Sequence, residues 1–411
     1  MLMPLHTLRI SPVLIAGSLA LLAAVANAAP TVVRVNSIAE LRAAARAAGP
    51  GTRIELAPGI YEGGLYLESL RGEKGMPIVI AGVDPKSPPH LKGGRVGIHL
   101  VNPFFVELRD LTISGAGDNG ISIDDGGKYT PKPRGLVLDQ LRVTDIGPRG
   151  NHDGIKLSGI DGFHIENCVI ERWGIESGGG IDMVGCHDGL IVSNHFQHHA
   201  DPAKTGGTGI QAKGGTKNIV IRQNSFEHAG ARSLNLGGST GLQFFRPPLD
   251  QWPEGEPRYE ASDITVEGNT FIGSTAPFAF VGIDHAVVRY NTVYVPGKWA
   301  MRILQENKEP GFVASRCGVI SNNIFVFRSD QWTENGVNLG PDTALDTFRF
   351  TNNLWFCIDR PETSKPRLPT PEVDGVYGVD PQLRDPAHSD LRVKPGSPAQ
   401  MQGIDAYRQP R

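Results

Sequence analysis

The sequence has little net charge, few aromatic residues and almost no segments with helical periodicity. Its 411 residues carry 40 lysines and arginines against 43 aspartates and glutamates, a formal charge of −3, so no broad basic surface for nucleic acid is expected. Only 7% of the residues are aromatic and five are tryptophans, so the tryptophan-rich repeats of β-propellers are missing. The 3.6-residue period is also missing between the short apolar segments, which argues against alternating strands and helices.

Only one hydrophobic run is long, and it stands at the start of the chain. His6 and Arg9 precede the apolar residues 12–25, and a small-x-small motif follows at 26–28, the order found in secretory signal peptides. A single membrane anchor is the alternative, but the run is short for a span. We therefore expect residues 1–28 to be removed, no membrane span to remain, and the mature protein to be periplasmic or secreted.

Cysteine is scarce, with four residues in the chain: Cys168, Cys186, Cys317 and Cys357. Export permits disulfides, and four cysteines allow three pairings. Each cysteine also lies in an apolar, strand-like segment, so buried free thiols are equally compatible with the sequence.

Short apolar segments repeat along most of the chain. Nine of them share an apolar alternation, a polar turn residue and a further apolar residue, at spacings of 22 to 32 residues with one gap of 45. The turn residues are Asp110, Gln140, Asn167, Asn194, Asn224, Asn269, Asn291, Asn323 and Asn353. A period in this range with alternation inside each unit indicates a solenoid. Asparagines at equivalent positions can hydrogen-bond from coil to coil when the strands are parallel.

These repeats predict an all-β fold, a single right-handed parallel β-helix over residues 29–360, right-handed because parallel crossovers have that hand. Residues 37–48 form the one good helix, with Ser37 and Glu40 as a capping box, and we expect this helix to cap the first coil. Residues 361–411 are expected to wrap the last coil as a tail without new strands.

A second set of strands precedes the asparagine segments, and its register can be read from the alternation of side chains. The second and fourth residues of each strand are apolar, so the third residues face solvent and should stack. These outward residues are Ser122, Lys156, Asp182, Gln211, Asn235, Ala279, Arg302 and Asn338. Lys213 follows Gln211 on the same outward side, and two glycines come directly after it, which we interpret as room for a ligand. A solvated polar face is the alternative interpretation of this stripe.

The 45-residue gap inserts a loop, residues 239–262, beside this stripe. Long insertions in solenoids usually lie on the binding face. Trp252 and Tyr259 are candidates for stacking on sugar rings and Arg246 for holding an acid group, although the loop aromatics are equally able to pack on the solenoid.

The opening coils carry a resemblance to a known family. The segments "PGTRIELAPGIYEGGLYLES" and "FFVELRDLTISGAGDNGISI" resemble the start of the chondroitinase-B and alginate-lyase family of β-helix polysaccharide lyases. "GIQAKGGTKNIVIRQNSF" is similar to the segment that carries the family's catalytic lysine, which places that lysine at Lys213. Gly237 stands where the family has an arginine, and Gly206 and Thr208 stand where it has acidic calcium ligands. The resemblance implies a lyase, and no metal ligand is assigned in this chain.

β-Elimination on a uronate needs a base for the proton α to the carboxylate and positive groups to hold that carboxylate. Lys213 is the candidate base, and Arg232, Arg246 and His152 are further candidate catalytic groups. The candidate substrate-binding residues are Lys156, Asp182, Gln211, Asn235, Arg302, Trp252 and Tyr259. The expected partner is a polysaccharide or oligosaccharide substrate, and we expect the protein to be a monomer.

Two other functions remain open from the sequence. A glycoside hydrolase would use paired carboxylates, with Asp182 beside Asp124 or Asp153. A non-catalytic carbohydrate-binding or cell-surface solenoid would need the polar stripe but not Lys213. Zinc binding by His187, His195, His198 and His199 is a weaker alternative, because they fall on different turns and strands.

Overall fold

The computed structural model describes residues 31–404, so the predicted signal peptide lies outside the described residues. Most of the chain forms three parallel sheets that each strand-bearing coil visits in turn. Sheet 1 has 13 strands: Thr31–Val35, Thr52–Leu56, Ile78–Gly82, Val106–Arg109, Arg134–Asp139, Asp161–Glu166, His187–Val192, Thr216–Arg222, Ala261–Glu267, Ile283–Arg289, Arg316–Ser321, Arg349–Thr351 and Glu372–Val373.

Sheet 2 has 12 shorter strands: Ile60–Glu62, His90–Lys92, Thr112–Ser114, Arg142–Thr144, Val169–Glu171, His195–Gln197, Ser225–Glu227, Thr270–Ile272, Thr292–Tyr294, Ile324–Phe327, Leu354–Cys357 and Val376–Tyr377. Sheet 3 has 10 strands: Leu65–Glu68, Ile98–Val101, Ile121–Asp124, Ile155–Ser158, Gly179–Val184, Thr208–Lys213, Arg232–Gly237, Ala276–Val281, Met301–Leu304 and Val337–Leu339. Short 3₁₀ helices lie at Pro202–Lys204, Leu242–Phe244, Leu249–Gln251, Ser329–Gln331, Thr333–Gly336, Leu345–Thr347, Pro361–Thr363 and Pro386–His388.

The three sheets enclose one continuous apolar core, and the whole is a parallel β-helix. Inward residues of successive coils stack in columns, because equivalent strands pair in register. Phe196, Phe226 and Phe271, for example, stack with ring centroids 4.8 and 4.7 Å apart, the spacing of neighbouring strands. The predicted fold class is confirmed.

A row of buried asparagines runs along the turn between sheets 1 and 2. Each side-chain amide donates to the amide oxygen of the next coil at 2.9–3.0 Å, in the order Asn194, Asn224, Asn269, Asn291, Asn323 and Asn353. Each amide also donates to a backbone carbonyl of the preceding coil, as Asn224 does to Ile191. Buried amides need such partners, so the row fixes the turn in each coil.

The turn residues predicted for the first three coils do not belong to this row, because each lies one residue before it. Asp110, Gln140 and Asn167 occupy the left-handed residue that precedes the row, with φ values of 53°, 54° and 54°. Aspartate and asparagine tolerate this conformation better than most residues. The row position itself is taken there by Leu111, Leu141 and Cys168, and the Cys168 N–H donates to Asn194.

The predicted capping helix is present as Ile38–Ala47. The Ser37 side chain accepts a hydrogen bond from the Glu40 N–H, and the Glu40 carboxylate accepts one from the Asn36 N–H. Leu41 and Ala45 are buried against the first coil, so the helix covers the amino-terminal end of the core.

The prediction that the tail adds no strands is wrong. Glu372–Val373 joins sheet 1 and Val376–Tyr377 joins sheet 2. Beyond them, Leu383–Asp385 pairs with Asp390–Val393 in an antiparallel hairpin, and a short helix, Pro398–Met401, follows. The Pro- and Asp-rich composition concealed these very short strands.

All four cysteines are described, and all four are free thiols. Cys168, Cys186 and Cys357 are buried, and burial raises the pKa of Cys168 and of Cys186 to about 12. Within residues 31–404, no helix has the length and hydropathy needed to cross a membrane.

Candidate active site

The outward face of sheet 3 has the register that the sequence predicts. Ser122 pairs with Lys156, Lys156 with Asp182, Asp182 with Gln211 and Gln211 with Asn235. The row continues through Ala279, Arg302 and Asn338. Neighbouring outward side chains are therefore one strand spacing apart, about 4.8 Å.

Two lysines share one buried carboxylate at the centre of this row. Oδ2 of Asp182 forms a hydrogen-bonded ion pair with Nζ of Lys156 and lies 3.5 Å from Nζ of Lys213. The Asp182 side chain is 2% exposed, while the lysine side chains are 21% and 18% exposed. Lys213 also donates to Oε1 of Gln211 at 3.2 Å. The structure thus brings together four of the predicted residues, with the carboxylate beneath and the two ammonium groups above it.

A second carboxylate lies beside the first. Oδ2 of Asp153 is 3.6 Å from Nζ of Lys156, and its Oδ1 accepts a hydrogen bond from the Gly179 N–H at 2.7 Å. Burial raises the pKa of Asp153 to about 6, and the neighbouring charge of Asp182 adds to this effect. For Lys156, burial lowers the pKa, but the two carboxylates outweigh it and the net pKa lies above the ordinary value. Lys156 therefore stays an ammonium ion at neutral pH.

The raised pKa of Asp153 predicts a pH-dependent cost in stability. Folded Asp153 keeps a proton that the unfolded chain releases between pH 3.8 and about 6, so its contribution to the unfolding free energy falls as pH rises through that window. Asp153→Asn retains an acceptor for Gly179 but does not titrate. We expect the difference in melting temperature, variant minus wild type, to increase from pH 4 to pH 6 and then to level off. Differential scanning fluorimetry at several pH values in this range measures both melting temperatures. A difference between them that does not change with pH would contradict the raised pKa of Asp153.

A cavity of about 370 Å³ opens above the two lysines. The inserted loop forms one wall, and Lys156 and Lys213 lie in the floor. The lining residues are Asn151, Lys156, Ser158, Val184, Lys213, Ser239, Thr240, Gly241, Phe244 and Arg246. Phe244 is 56% exposed, so it is the loop aromatic available to stack on a ligand. Three cationic side chains line the cavity, so its surface favours an anionic ligand.

Arg246 is fixed at the cavity wall by a long-range ion pair. Its Nε donates to Oδ2 of the buried Asp125 at 2.7 Å, 121 positions earlier in the chain. This contact draws the loop back across several coils of sheet 3.

The two glycines after Lys213 make room for the loop, so our interpretation of them as room for a ligand is wrong. Gly214 and Gly215 have φ values of 64° and 91°, a conformation that favours glycine. A β-carbon on Gly215 would lie 2.5 Å from the Arg246 carbonyl oxygen, and the Arg246 N–H donates to the Gly214 carbonyl at 3.0 Å. The loop thus lies directly against the turn that holds Lys213.

Glu260, which the sequence analysis missed, ties this turn to the loop. Its side chain is fully buried and accepts hydrogen bonds from the Gly214 N–H, from the N–H and hydroxyl of Thr240, and from the Asn307 amide, at 2.7–3.0 Å. A carboxylate with four donors is well satisfied despite its burial. Nothing in the sequence around position 260 marks it, because its partners come from three separate segments.

Three predicted polar residues lie outside this cavity. Asn235 is 2% exposed and accepts a hydrogen bond from Arg232, which also pairs with Glu306 at 3.1 Å. Arg302 lies two strands beyond Asn235, where its guanidinium stacks on Trp299 and donates to Asn338. The placement of Arg302 in the same site is therefore wrong.

His152 and two loop aromatics, Trp252 and Tyr259, were predicted to belong to the site but do not line the cavity. The His152 ring faces Asp118, with Nδ1 and Oδ1 3.2 Å apart, and it does not line the cavity. Tyr259 is 7% exposed, burial raises its pKa to about 12, and its ring packs on Trp252. The half-buried Trp252 donates to the Pro257 carbonyl. These two rings hold the loop on the solenoid, the alternative that the sequence left open.

Comparison with known proteins agrees with this architecture. A sequence profile described as "Right handed beta helix region" matches residues 96–246. The chain is a right-handed parallel β-helix. Comparison with curated proteins finds no match.

Several solved structures share the β-helix fold at low sequence identity. The GH136 lacto-N-biosidase from Eubacterium ramulus superposes with a TM-score of 0.53 and 12% identity, over 83% of this chain and 64% of that chain. An alginate lyase from Paenibacillus sp. str. FPU-7 gives 0.48 and 17%, over 75% and 97%. The PL6 family alginate lyase AlyGC gives 0.46 and 12%, over 90% and 56%. The superposition on the lacto-N-biosidase agrees with the β-helix fold that the sequence predicts.

The β-helix cannot carry an arginine at position 237. Gly237 has a φ of 110°, and a β-carbon there would lie 1.7 Å from the Val281 carbonyl oxygen. We expect Gly237→Ala to lower the unfolding free energy by about 2–4 kcal/mol, measured by urea denaturation. Gly127→Ala is the control, because Gly127 shares the positive φ but has open space around it. Equal losses in the two variants would show that backbone conformation alone matters.

The β-helix offers no fit to the calcium site that the resemblance implies. Gly206 has no side chain and packs against Trp173, and Thr208 is buried. Three carboxylates lie beside the cavity and are already paired, Asp153 and Asp182 with lysines and Asp125 with Arg246, and calcium needs six or more oxygen ligands.

One metal-like group occurs among the described residues: Asp284, His285 and Cys317, with ligand atoms within 4.8 Å of one another. Both oxygens of Asp284 are engaged by Arg316. Of the four histidines considered for zinc, His187 pairs with Asp161, His195 with Ser225 and His198 with the Trp173 carbonyl.

Proposed function

We propose that this protein is an exported polysaccharide-degrading enzyme, a lyase that cleaves an acidic, uronate-containing glycan by β-elimination. The observation that carries the proposal is the pair of ammonium groups of Lys156 and Lys213 over Asp182, in the floor of a cavity that Arg246 also lines. Such a floor offers positive charge for a sugar carboxylate and an amine for its α-proton.

The two lysines have different surroundings, which supports different roles. Lys156 contacts both Asp182 and Asp153 and its pKa is raised, so it serves as the fixed positive charge that holds the uronate carboxylate. Lys213 is 3.5 Å from Asp182 and is the less tightly paired amine. In its neutral form Lys213 therefore serves as the general base and takes the proton α to the carboxylate. The double bond forms as the glycosidic C–O bond breaks, and the resulting ammonium group returns the proton to the leaving oxygen.

Arg246 supplies the guanidinium that position 237 lacks. It lies at the wall, 15% exposed, with Nε bound to Asp125. As negative charge develops on the substrate carboxylate, Lys156 and Arg246 together stabilise it without a metal ion.

The decisive experiment offers the purified protein a panel of uronate polymers. We expect at least one of them to give a product that absorbs in the ultraviolet, because elimination leaves a carbon–carbon double bond conjugated to the carboxylate. A neutral glucan of similar length is the control substrate. New reducing ends without this absorbance would contradict elimination.

Hydrolysis is the second candidate, and it rests on the pairing of Asp153 with Asp182. Both carboxyl groups contact Lys156, and the pKa of Asp153 is raised to about 6, as expected of a general acid. Against this role, both carboxyl side chains are 2% exposed and lie beneath the lysines. A binding solenoid without catalysis remains a third candidate, and it predicts unchanged ligand affinity when Lys213 is removed.

A further inference from the structure

The outward face of sheet 3 is covered from Asn235 onward, where Asn235 itself is 2% exposed. Ala279 and Val281 point outward, in register with Asn235 and Gly237, yet both are 0% exposed. Outward residues on the other side of the cavity, Ser122 and Lys156, remain partly exposed. The polar stripe is therefore interrupted at the Ala279 strand.

An ion pair bridges the covered strand. Arg232 lies at the amino end of the Arg232–Gly237 strand, and its guanidinium donates to Oδ1 of the outward Asn235 at 3.1 Å. Glu306 follows the carboxyl end of the Met301–Leu304 strand, which is two strands further along the solenoid. Its Oε1 lies 3.1 Å from Arg232. The pair thus joins the two strands that flank Ala279, across the path that a bound polymer would take.

The cavity beyond this bridge offers an acidic glycan less positive charge than the cavity above Lys213. A separate cavity lies there, lined by residues 239–242 of the loop and by Glu306, Asn307, Lys308 and Glu309. It carries two carboxylates and one ammonium group, whereas the cavity above Lys213 carries three cations. This cavity therefore holds a polyanion less favourably than the cavity above Lys213.

The opposite direction is open and carries an aromatic ring. Tyr66, His99, Ser122 and Lys156 follow one another in register. The Tyr66 side chain is 55% exposed and meets the His99 ring edge-on at 5.3 Å. Four strand spacings separate Tyr66 from Asp182, about 19 Å, which is room for several sugar rings. A flat exposed ring of this kind is a platform on which a sugar can stack.

We infer that the cleft binds the end of a glycan chain, with the terminal sugars stopped at the Arg232–Glu306 pair and the rest of the chain extending over Ser122 and His99 to Tyr66. On the proposed function, which this inference rests on, the enzyme is exo-acting and releases short products from a chain end. With the glycan in this direction, Tyr66 is the binding position farthest from Lys213.

Product size during the early reaction tests the inference. Wild-type protein acting on the uronate polymer it cleaves should release only short unsaturated products while the polymer's average length stays almost constant. Glu306→Ala removes the bridge and should add products of intermediate length. Glu62→Ala changes an exposed glutamate on sheet 2, away from the cleft, and is the control that should keep the wild-type pattern. Intermediate products from the wild type at the first time points would overturn exo action and leave the lyase proposal standing.

Binding of an oligosaccharide length series tests the direction of the chain independently of turnover. Tyr66→Ala should weaken binding of long uronate oligomers roughly two- to tenfold, the size of one stacking contact, and leave a disaccharide unaffected. Tyr66→Phe keeps the ring and should bind like wild type. Equal affinities of Tyr66→Ala and wild type for the long oligomers would overturn the placement. Wild-type protein that neither binds nor cleaves any uronate oligomer would overturn both this inference and the proposed function.

Discussion

Lys213→Ala is expected to reduce formation of unsaturated product by about 10²–10⁴-fold, the usual contribution of a general base. The substitution removes the amine while Lys156 keeps Asp182 paired, so no buried carboxylate loses its only partner. We therefore expect the unfolding free energy to change by no more than about 1 kcal/mol. Initial rates of ultraviolet absorbance and urea denaturation measure the two quantities on the same preparation.

Two variants show whether the effect comes from proton transfer or from charge. Lys213→Arg keeps a positive charge, but a guanidinium does not lose its proton at any ordinary pH, so it should be nearly as inactive as alanine. Lys217→Ala changes a partly exposed lysine four residues away that lies 3.8 Å from Asp263, and it should keep wild-type rates. Substantial activity in Lys213→Arg would assign Lys213 an electrostatic role and leave the base unidentified.

Glu260→Ala is expected to lower the unfolding free energy by about 3–5 kcal/mol, because several buried donors lose their acceptor together. The N–H of Gly214, the N–H and hydroxyl of Thr240, and the Asn307 amide all bind this carboxylate. The loop wall should loosen at the same time, so KM should rise. Urea denaturation and steady-state kinetics provide the measurements.

The conservative variant Glu260→Gln separates folding from positioning. It retains one oxygen acceptor and the shape of the side chain, so we expect it to fold and to lose only part of the stability. If KM rises in Glu260→Gln while the fold is retained, the carboxylate positions the loop beside Lys213. A KM equal to that of the wild type would restrict Glu260 to a structural role.

The sequence predicts the solenoid and the register of sheet 3 because both depend on local alternation. Lys156, Asp182, Gln211 and Asn235 stack as expected, since a strand with two inward apolar residues leaves no choice for the residues between them. The asparagine row is one residue off at Asn167, because both the left-handed residue and the row residue favour the same amino acid types.

The side walls of the site could not be read from the sequence in this way. The loop reaches Asp125 through Arg246 and reaches the Lys213 turn through Glu260, and both contacts join segments far apart in the chain. His152 lies in a turn and Tyr259 in the inserted loop, and neither segment carries an alternation. Arg302 has the predicted register, but the buried Ala279 strand separates it from the cavity. Tertiary packing decides where such residues lie, and no local pattern reports it.

The asparagine row has a direction, and that direction requires a special residue at its end. Each amide donates towards the following coil, from Asn194 to Asn353, and the last one donates to the carboxylate of Glu372. A carboxylate accepts without needing a further acceptor of its own, which another asparagine would. Aligned amides also polarise one another, and the dipoles of the row end on the negative charge of Glu372. A protein truncated before residue 372 would leave the Asn353 amide without its side-chain acceptor, and local unfolding would begin at Asn353.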